Sequence, residues 1–213
     1  MKGKLYLSGG GSAKQTYKAD MKIFKDVKTI LYIPFAWDED LTYESCKEWF
    51  STLMILHNIS NYTMMKNPSS NIDLSKYDMI YIGGGNTFKL LKELKESELG
   101  NKIITYLNCG GKVYGGSAGA IIFGQTILPC TIGSCSDENL VGLKDLTGFN
   151  LIDYDIHCHF DKITDFKLIE KYCKEKKRQI IAIAEENVVE IINRKIVKIY
   201  GEEEIKIFSI TPN

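Results

Sequence analysis

The chain has 213 residues, 44% of them hydrophobic and 25% charged, enough to bury one substantial core as a single domain over residues 1–213. Its 27 basic and 27 acidic side chains cancel, which excludes bulk electrostatic attraction to nucleic acid or an anionic membrane surface and leaves function to a local site. No apolar run approaches the ~20 residues of a membrane span, and the scattered cysteines form no CxxC pair or zinc-like spacing, so a reduced, cytoplasmic setting is expected.

Short β-rich runs, turn residues and helical patterns alternate through the first two thirds. Residues 5–7 form a strand that leads into Gly9-Gly10-Gly11, and residues 13–27 read as a helix. The run TILYIPFA (29–36) is a strong buried-strand signal, followed by a helical pattern over 40–57. A weaker strand is expected at 62–65 and a strong one at 77–82, ending in Gly83-Gly84-Gly85. A lysine-rich amphipathic helix (87–99), a second helix (101–109), a short strand (112–114) and a helix start at 118–123 follow. Alternation of this kind implies parallel strands joined by right-handed helical crossovers.

Beyond Ser117 the pattern changes. Residues 125–143 are irregular, 155–160 alternate like a strand and 165–177 return to a helix. Strands are expected at 180–184, 188–193 and 195–200, the last two as a hairpin turning near Arg194, and 205–210 add one more. The expected fold class is α/β: a doubly wound, mostly parallel sheet flanked by helices, with an antiparallel extension at its C-terminal end.

The segment Gly115-x-Ser117-x-Gly119 falls between a strand and a helix, the context of a nucleophile elbow. Flanking glycines relieve so sharp a turn, and a helix starting behind the serine aims N–H groups and a positive dipole end at it. The Ala118 N–H then faces a developing oxyanion. The second glycine-rich turn, Gly83–Asn86, lies at the same carboxyl edge, where the Gly85 N–H is the second candidate donor and Asn86 is either a helix N-cap or a substrate contact. Neither turn carries the GxxxxGK[ST] pattern of a phosphate loop, and no cofactor is expected.

A nucleophilic serine needs a base, and the chain offers His57, His157 and His159. Strand alternation over 155–161 puts Asp155, His157, His159 and Asp161 on one face. That face is the best partner for Ser117; the alternative is that the same four side chains form a first shell for zinc or iron in a metal- or small-ligand-binding domain. The acid that fixes the imidazole is expected from Asp137 or Glu138. A serine esterase of the α/β-hydrolase type has the same order of serine, acid and histidine, but the short spacing from Ser117 to His159 leaves little room for its intervening units.

With these residues assembled, the chain resembles the peptidase E family, the aspartyl dipeptidases and cyanophycinases. The matching pieces are Ile33-Pro34-Phe35-Ala36, residues 83–91 (GGGNTFKLL), Gly116-Ser117-Ala118-Gly119-Ala120 and Ile156-His157-Cys158-His159-Phe160, spanning roughly residues 5–186. The resemblance implies a class I glutamine amidotransferase-like fold, Ser117 as nucleophile, Gly85 and Ala118 as oxyanion donors, His159 as base and Asp137 as acid, with Glu138 its rival. His157 then becomes a neighbour of the substrate rather than the base. The implied reaction is hydrolysis of small peptides by a dipeptidase-like serine enzyme; a homodimer is compatible with the sequence. Aspartyl-specific members carry arginine-bearing segments before the acid and after the histidine. Here residues 118–136 and 161–177 contain no arginine, the chain's arginines being Arg178 and Arg194; recognition of an N-terminal aspartate is therefore not implied.

Overall fold

In the computed structural model of the protein, residues 1–37, 42–133, 136–202 and 205–209 are described; Asp40, Cys135 and Ile210, which the sequence reading included in its helix, cysteine set and last strand, lie outside them. The elements run β1 (Lys4–Ser8), α1 (Ala13–Ile23), β2 (Thr29–Ile33), α2 (Tyr43–Leu56), β3 (Asn61–Met64), β4 (Met79–Ile82), α3 (Thr87–Glu96), α4 (Leu99–Asn108), β5 (Lys112–Gly116) and α5 (Ala118–Ile121). After a long irregular stretch come β6 (Asp155–His157), α6 (Phe166–Lys176), β7 (Ile180–Ala182), β8 (Val188–Ile192), β9 (Lys195–Tyr200) and β10 (Lys206–Phe208).

The main sheet has seven strands in the order β3-β2-β4-β5-β1-β8-β9. Its first five are parallel, and β8 and β9 extend it antiparallel beyond β1. Alternation along each strand splits the core into two layers. Leu5, Leu7, Leu31, Ile33, Ile80, Ile82 and Val113 face α3, α4 and α5 on one side. On the other, Tyr6, Ile30, Tyr32, Met79, Tyr81 and Tyr114 face α1 and α2. Register places Tyr32, Tyr81, Tyr114 and Tyr6 side by side across four neighbouring strands. The rings of Tyr81 and Tyr114 stack at 4.7 Å.

The antiparallel extension is the expected hairpin: Asn193 and Arg194 both have positive φ, the backbone that lets a two-residue turn follow the strand twist. The sheet carrying the histidines is the point of difference. Strand β6 does not join the main sheet; it pairs parallel with β7, which pairs antiparallel with β10, as a separate three-stranded sheet covered by α6. Buried Asp155 anchors it, accepting from the Arg178 guanidinium (3.0 Å to Oδ1) and from the Thr126 N–H (2.8 Å). The buried Asp155 charge is tolerated there because it is paired with the half-buried Arg178 and hydrogen-bonded.

Among the described residues no helix is long and apolar enough to cross a membrane.

Candidate active site

The carboxyl ends of β1, β4 and β5 converge on Ser117. This residue sits between β5 and α5 with φ 51° and ψ −116°, a strained conformation for a non-glycine residue. The turn closes because its flanks have no side chains: a Cβ on Gly115 would lie 2.1 Å from the Gly119 carbonyl oxygen, and one on Gly119 would lie 2.4 Å from that of Ile82. The Ser117 N–H donates to the Ser8 carbonyl (3.2 Å), tying the turn to β1.

His159 faces the serine, with Nε2 2.8 Å from Ser117 Oγ. It does not get there by strand alternation. Strand β6 ends at His157, and His159 has φ 54°, so the expected single face of Asp155, His157, His159 and Asp161 breaks up. Asp155 turns to Arg178, and Asp161 caps the exposed turn at Ile163 and Thr164. The His159 N–H donates to the Gly9 carbonyl (2.8 Å), which holds the backbone in this turned-out position. The Gly9–Gly11 stretch, read from sequence only as a turn, is a docking strip: a Cβ on Gly10 would lie 2.6 Å from His159 Nε2, and the Gly11 N–H donates to the Glu185 carbonyl (3.1 Å).

The carboxylate that reaches the other imidazole nitrogen belongs to Glu185, at 3.0 Å from His159 Nδ1. Its second oxygen accepts from the Gln15 side-chain amide at 2.5 Å, and Gln15 also closes the capping box of α1. The hydrogen bond from His159 holds the Glu185 carboxyl below its usual range, against the opposing effect of partial burial. Ser117, His159, Glu185 and Gln15 thus form one hydrogen-bonded line.

The expectation that Asp137 or Glu138 supplies this carboxylate is corrected accordingly. Asp137 Oδ2 accepts from the Thr87 N–H (2.9 Å) at the start of α3, and Glu138 is exposed, with its backbone carbonyl accepting from the Asn86 side chain (2.9 Å). Asn86 itself is the N-cap of α3, its Oδ1 accepting from the Lys89 N–H (3.0 Å). Its polar atoms serve the scaffold, not an open recess. Glu185 had one sequence signal: it directly follows the 180–184 strand, at the kind of carboxyl edge where sites collect.

His157 is buried, its ring nitrogens facing the Pro129 carbonyl (3.4 Å) and Asp165 Oδ2 (3.5 Å). Burial lowers its pKa, with the Pro129 contact and the Asp165 charge opposing. With Asp137 and Asp165 it lines a water-sized cavity of about 20 Å³ beside Ser117. On the other side of the serine lies a larger groove of about 320 Å³. His57 lines neither recess and stacks on Tyr17. Among the described residues no group of three or more His, Cys, Asp or Glu side chains is placed to hold a metal ion.

Gly85 (φ 127°) lies in the loop beside the serine; its neighbour Gly84 is so close that an added Cβ would be 3.0 Å from Ser117 Cβ and 3.6 Å from Oγ. Ala118 opens α5, so its N–H has no carbonyl one turn earlier in that helix to bond to.

A family model, peptidase family S51, matches residues 5–199. An uncharacterized peptidase of Listeria monocytogenes is 28% identical over 175 residues, covering 80% of this chain and 85% of its own. Peptidase E of Salmonella paratyphi A is 29% identical over 168 residues, covering 76% of this chain and 68% of its own. A crystal structure of a Listeria monocytogenes protein described as peptidase E aligns over 98% of this chain and 99% of its own, with TM-score 0.69 and 23% identity; that likeness is one of fold.

Proposed function

The chain belongs to peptidase family S51 and is a serine peptidase, and from that premise we propose that it hydrolyses small peptides, in the manner of a dipeptidase, through Ser117, His159 and Glu185. The observation that carries this reading is the hydrogen-bonded line from Ser117 Oγ through His159 to Glu185 (2.8 and 3.0 Å).

With its proton on Nδ1, His159 donates to Glu185 and presents a lone pair at Nε2 to the serine hydroxyl. As Ser117 Oγ attacks the peptide carbonyl, its proton passes to Nε2, and the imidazolium so formed is stabilised by the Glu185 carboxylate. The carbonyl oxygen becomes an oxyanion held by the N–H groups of Gly85 and Ala118, aided by the partial positive charge of backbone amides at the start of α5. His159 then hands its proton to the departing amine, leaving an ester on Ser117. Water, deprotonated by the same nitrogen, attacks the ester, and the acid product leaves as Oγ regains its proton. The strained backbone at Ser117, in a sharp strand-to-helix turn, presents Oγ to His159.

Labelling with a fluorophosphonate probe, followed by peptide mapping, tests the nucleophile without any assumption about substrate. Modification at Ser117, absent in Ser117→Ala, is the expected result. Modification elsewhere, or peptide hydrolysis that survives in Ser117→Ala, would overturn the reading.

A further inference from the structure

We propose that the groove beside Ser117 is a specificity pocket for an uncharged aromatic or large aliphatic side chain on a peptide residue adjoining the scissile bond. The proposal rests on the peptidase reading above and adds a substrate class to it.

The two recesses flanking Ser117 differ in what they can hold. The cavity toward His157 and Asp165 is about 20 Å³, room for one water molecule and no side chain. The groove on the opposite side is about 320 Å³ and reaches Ser117, His159 and the Gly84–Gly85 loop directly. Of these two recesses among the described residues, only the groove has room for a side chain beside the reacting carbonyl.

The groove's chemistry comes from the tyrosine face of the sheet. Tyr32 and Tyr81, register-paired on β2 and β4, form its floor, and Trp49 of α2 forms a wall, its ring 6.2 Å from that of Tyr32 and 6.0 Å from that of Tyr81. Neither tyrosine is more than 5% exposed, whereas Trp49 is 38% exposed, so a partly open indole stands over an aromatic floor. The loop side consists of glycine backbone, which leaves the space unobstructed and offers no side-chain charge. Rings arranged at offset and tilted angles favour another ring or a broad aliphatic group, which gains both from leaving water and from aromatic contact.

The described lining offers a charged side chain no oppositely charged partner. Among the described residues no aspartate, glutamate, lysine or arginine lines the groove, and His159 is committed to Ser117 and Glu185. Both arginines are engaged at a distance from it, Arg178 with Asp155 and Arg194 with Asp153. A carboxylate or ammonium entering the groove would lose hydration with nothing to replace it.

The test is a pair of dipeptide series, X-Ala and Ala-X, with X as Phe, Leu, Ala, Asp or Lys, run on the full chain, Trp49→Ala and Trp49→Phe, with fluorophosphonate labelling of each. In one of the two series Phe is expected to exceed Ala in kcat/KM by about tenfold or more, with Asp and Lys below Ala, in line with what a filled apolar pocket discriminates. Trp49→Ala should bring the Phe-to-Ala ratio down to about twofold through KM, and Trp49→Phe should restore it. The Phe dipeptide of the favoured series should also slow labelling of Ser117 more than the Ala dipeptide does. Ser117 labelled with a Phe-to-Ala ratio near one in both series, with Asp or Lys preferred, or with a ratio that survives Trp49→Ala, would remove the aromatic pocket and leave the peptidase reading standing. No labelling at Ser117 and no hydrolysis in either series would remove both.

Discussion

Replacing Glu185 with glutamine tests which carboxylate orients the base. The substitution preserves volume but puts an amide where His159 Nδ1 now donates at 3.0 Å. If the amide turns its NH₂ toward the ring, the imidazole switches to the tautomer with its proton on Nε2, which faces Ser117 and cannot accept from it. In a serine protease with a buried aspartate the equivalent change lowers kcat about 10⁴-fold. The Glu185 side chain is 42% exposed, so water replaces part of its stabilisation of the imidazolium, and a fall of about 10²–10³-fold in kcat/KM is expected, about 3–4 kcal/mol of transition-state free energy. The measurement is dipeptide hydrolysis together with the rate of fluorophosphonate labelling, alongside Asp137→Asn and Glu138→Gln. Those two should stay within about tenfold of the parent, since it is Glu185 that meets His159 Nδ1. Near-parental activity in Glu185→Gln, combined with a large loss in Asp137→Asn, would refute the assignment.

The two histidines should separate cleanly. His159→Ala is expected to lose about 10³-fold or more in kcat/KM with little change in melting temperature, whereas His157→Ala should chiefly destabilise, by about 2–4 kcal/mol, because it opens a buried cavity against Asp165; denaturant melts alongside kinetics decide. Gly10→Ala places a methyl 2.6 Å from His159 Nε2 at φ 96° and should displace the ring, slowing Ser117 labelling at least about tenfold while far-UV circular dichroism stays unchanged. Asp20, on the buried face of α1 and accepting from Thr16 (2.6 Å) and Tyr114 (2.8 Å), has its carboxyl pushed up to about 6 by desolvation. A raised folded-state pKa means the folded protein binds the proton more tightly than the unfolded chain. This group's contribution is therefore greatest below about pH 4 and is lost as pH rises through about 6. Urea melts of Asp20→Asn should show a flatter pH dependence between those limits than the parent; identical curves would contradict it.

Sequence periodicity determined much of this molecule. The alternation of apolar runs with amphipathic helices, the glycines around Ser117 and the paired positive-φ residues of the last hairpin are all local signals. Each element is fixed by its own side-chain period or by the backbone its turn requires, and the parallel sheet with its antiparallel extension follows from their order. The contact of His159 with Ser117 was also legible, from the scarcity of histidines and from the resemblance that places the family's histidine before Phe160. Three features were decided only in three dimensions. The carboxylate against His159 Nδ1 is that of Glu185 rather than of Asp137 or Glu138, because Thr87 and the cap of α3 hold that segment, while Gly9–Gly11 lays β1's end against the backbone leading to Glu185. The histidine strand left the main sheet because its partners are β7 and the Arg178 anchor, contacts that no local pattern encodes. The aromatic groove arose from tyrosines on separate strands brought level by register and roofed by α2. A side chain's own segment dictates which way it points; its partner is chosen by long-range packing, whose loop-closure cost and close approach leave no period in the sequence.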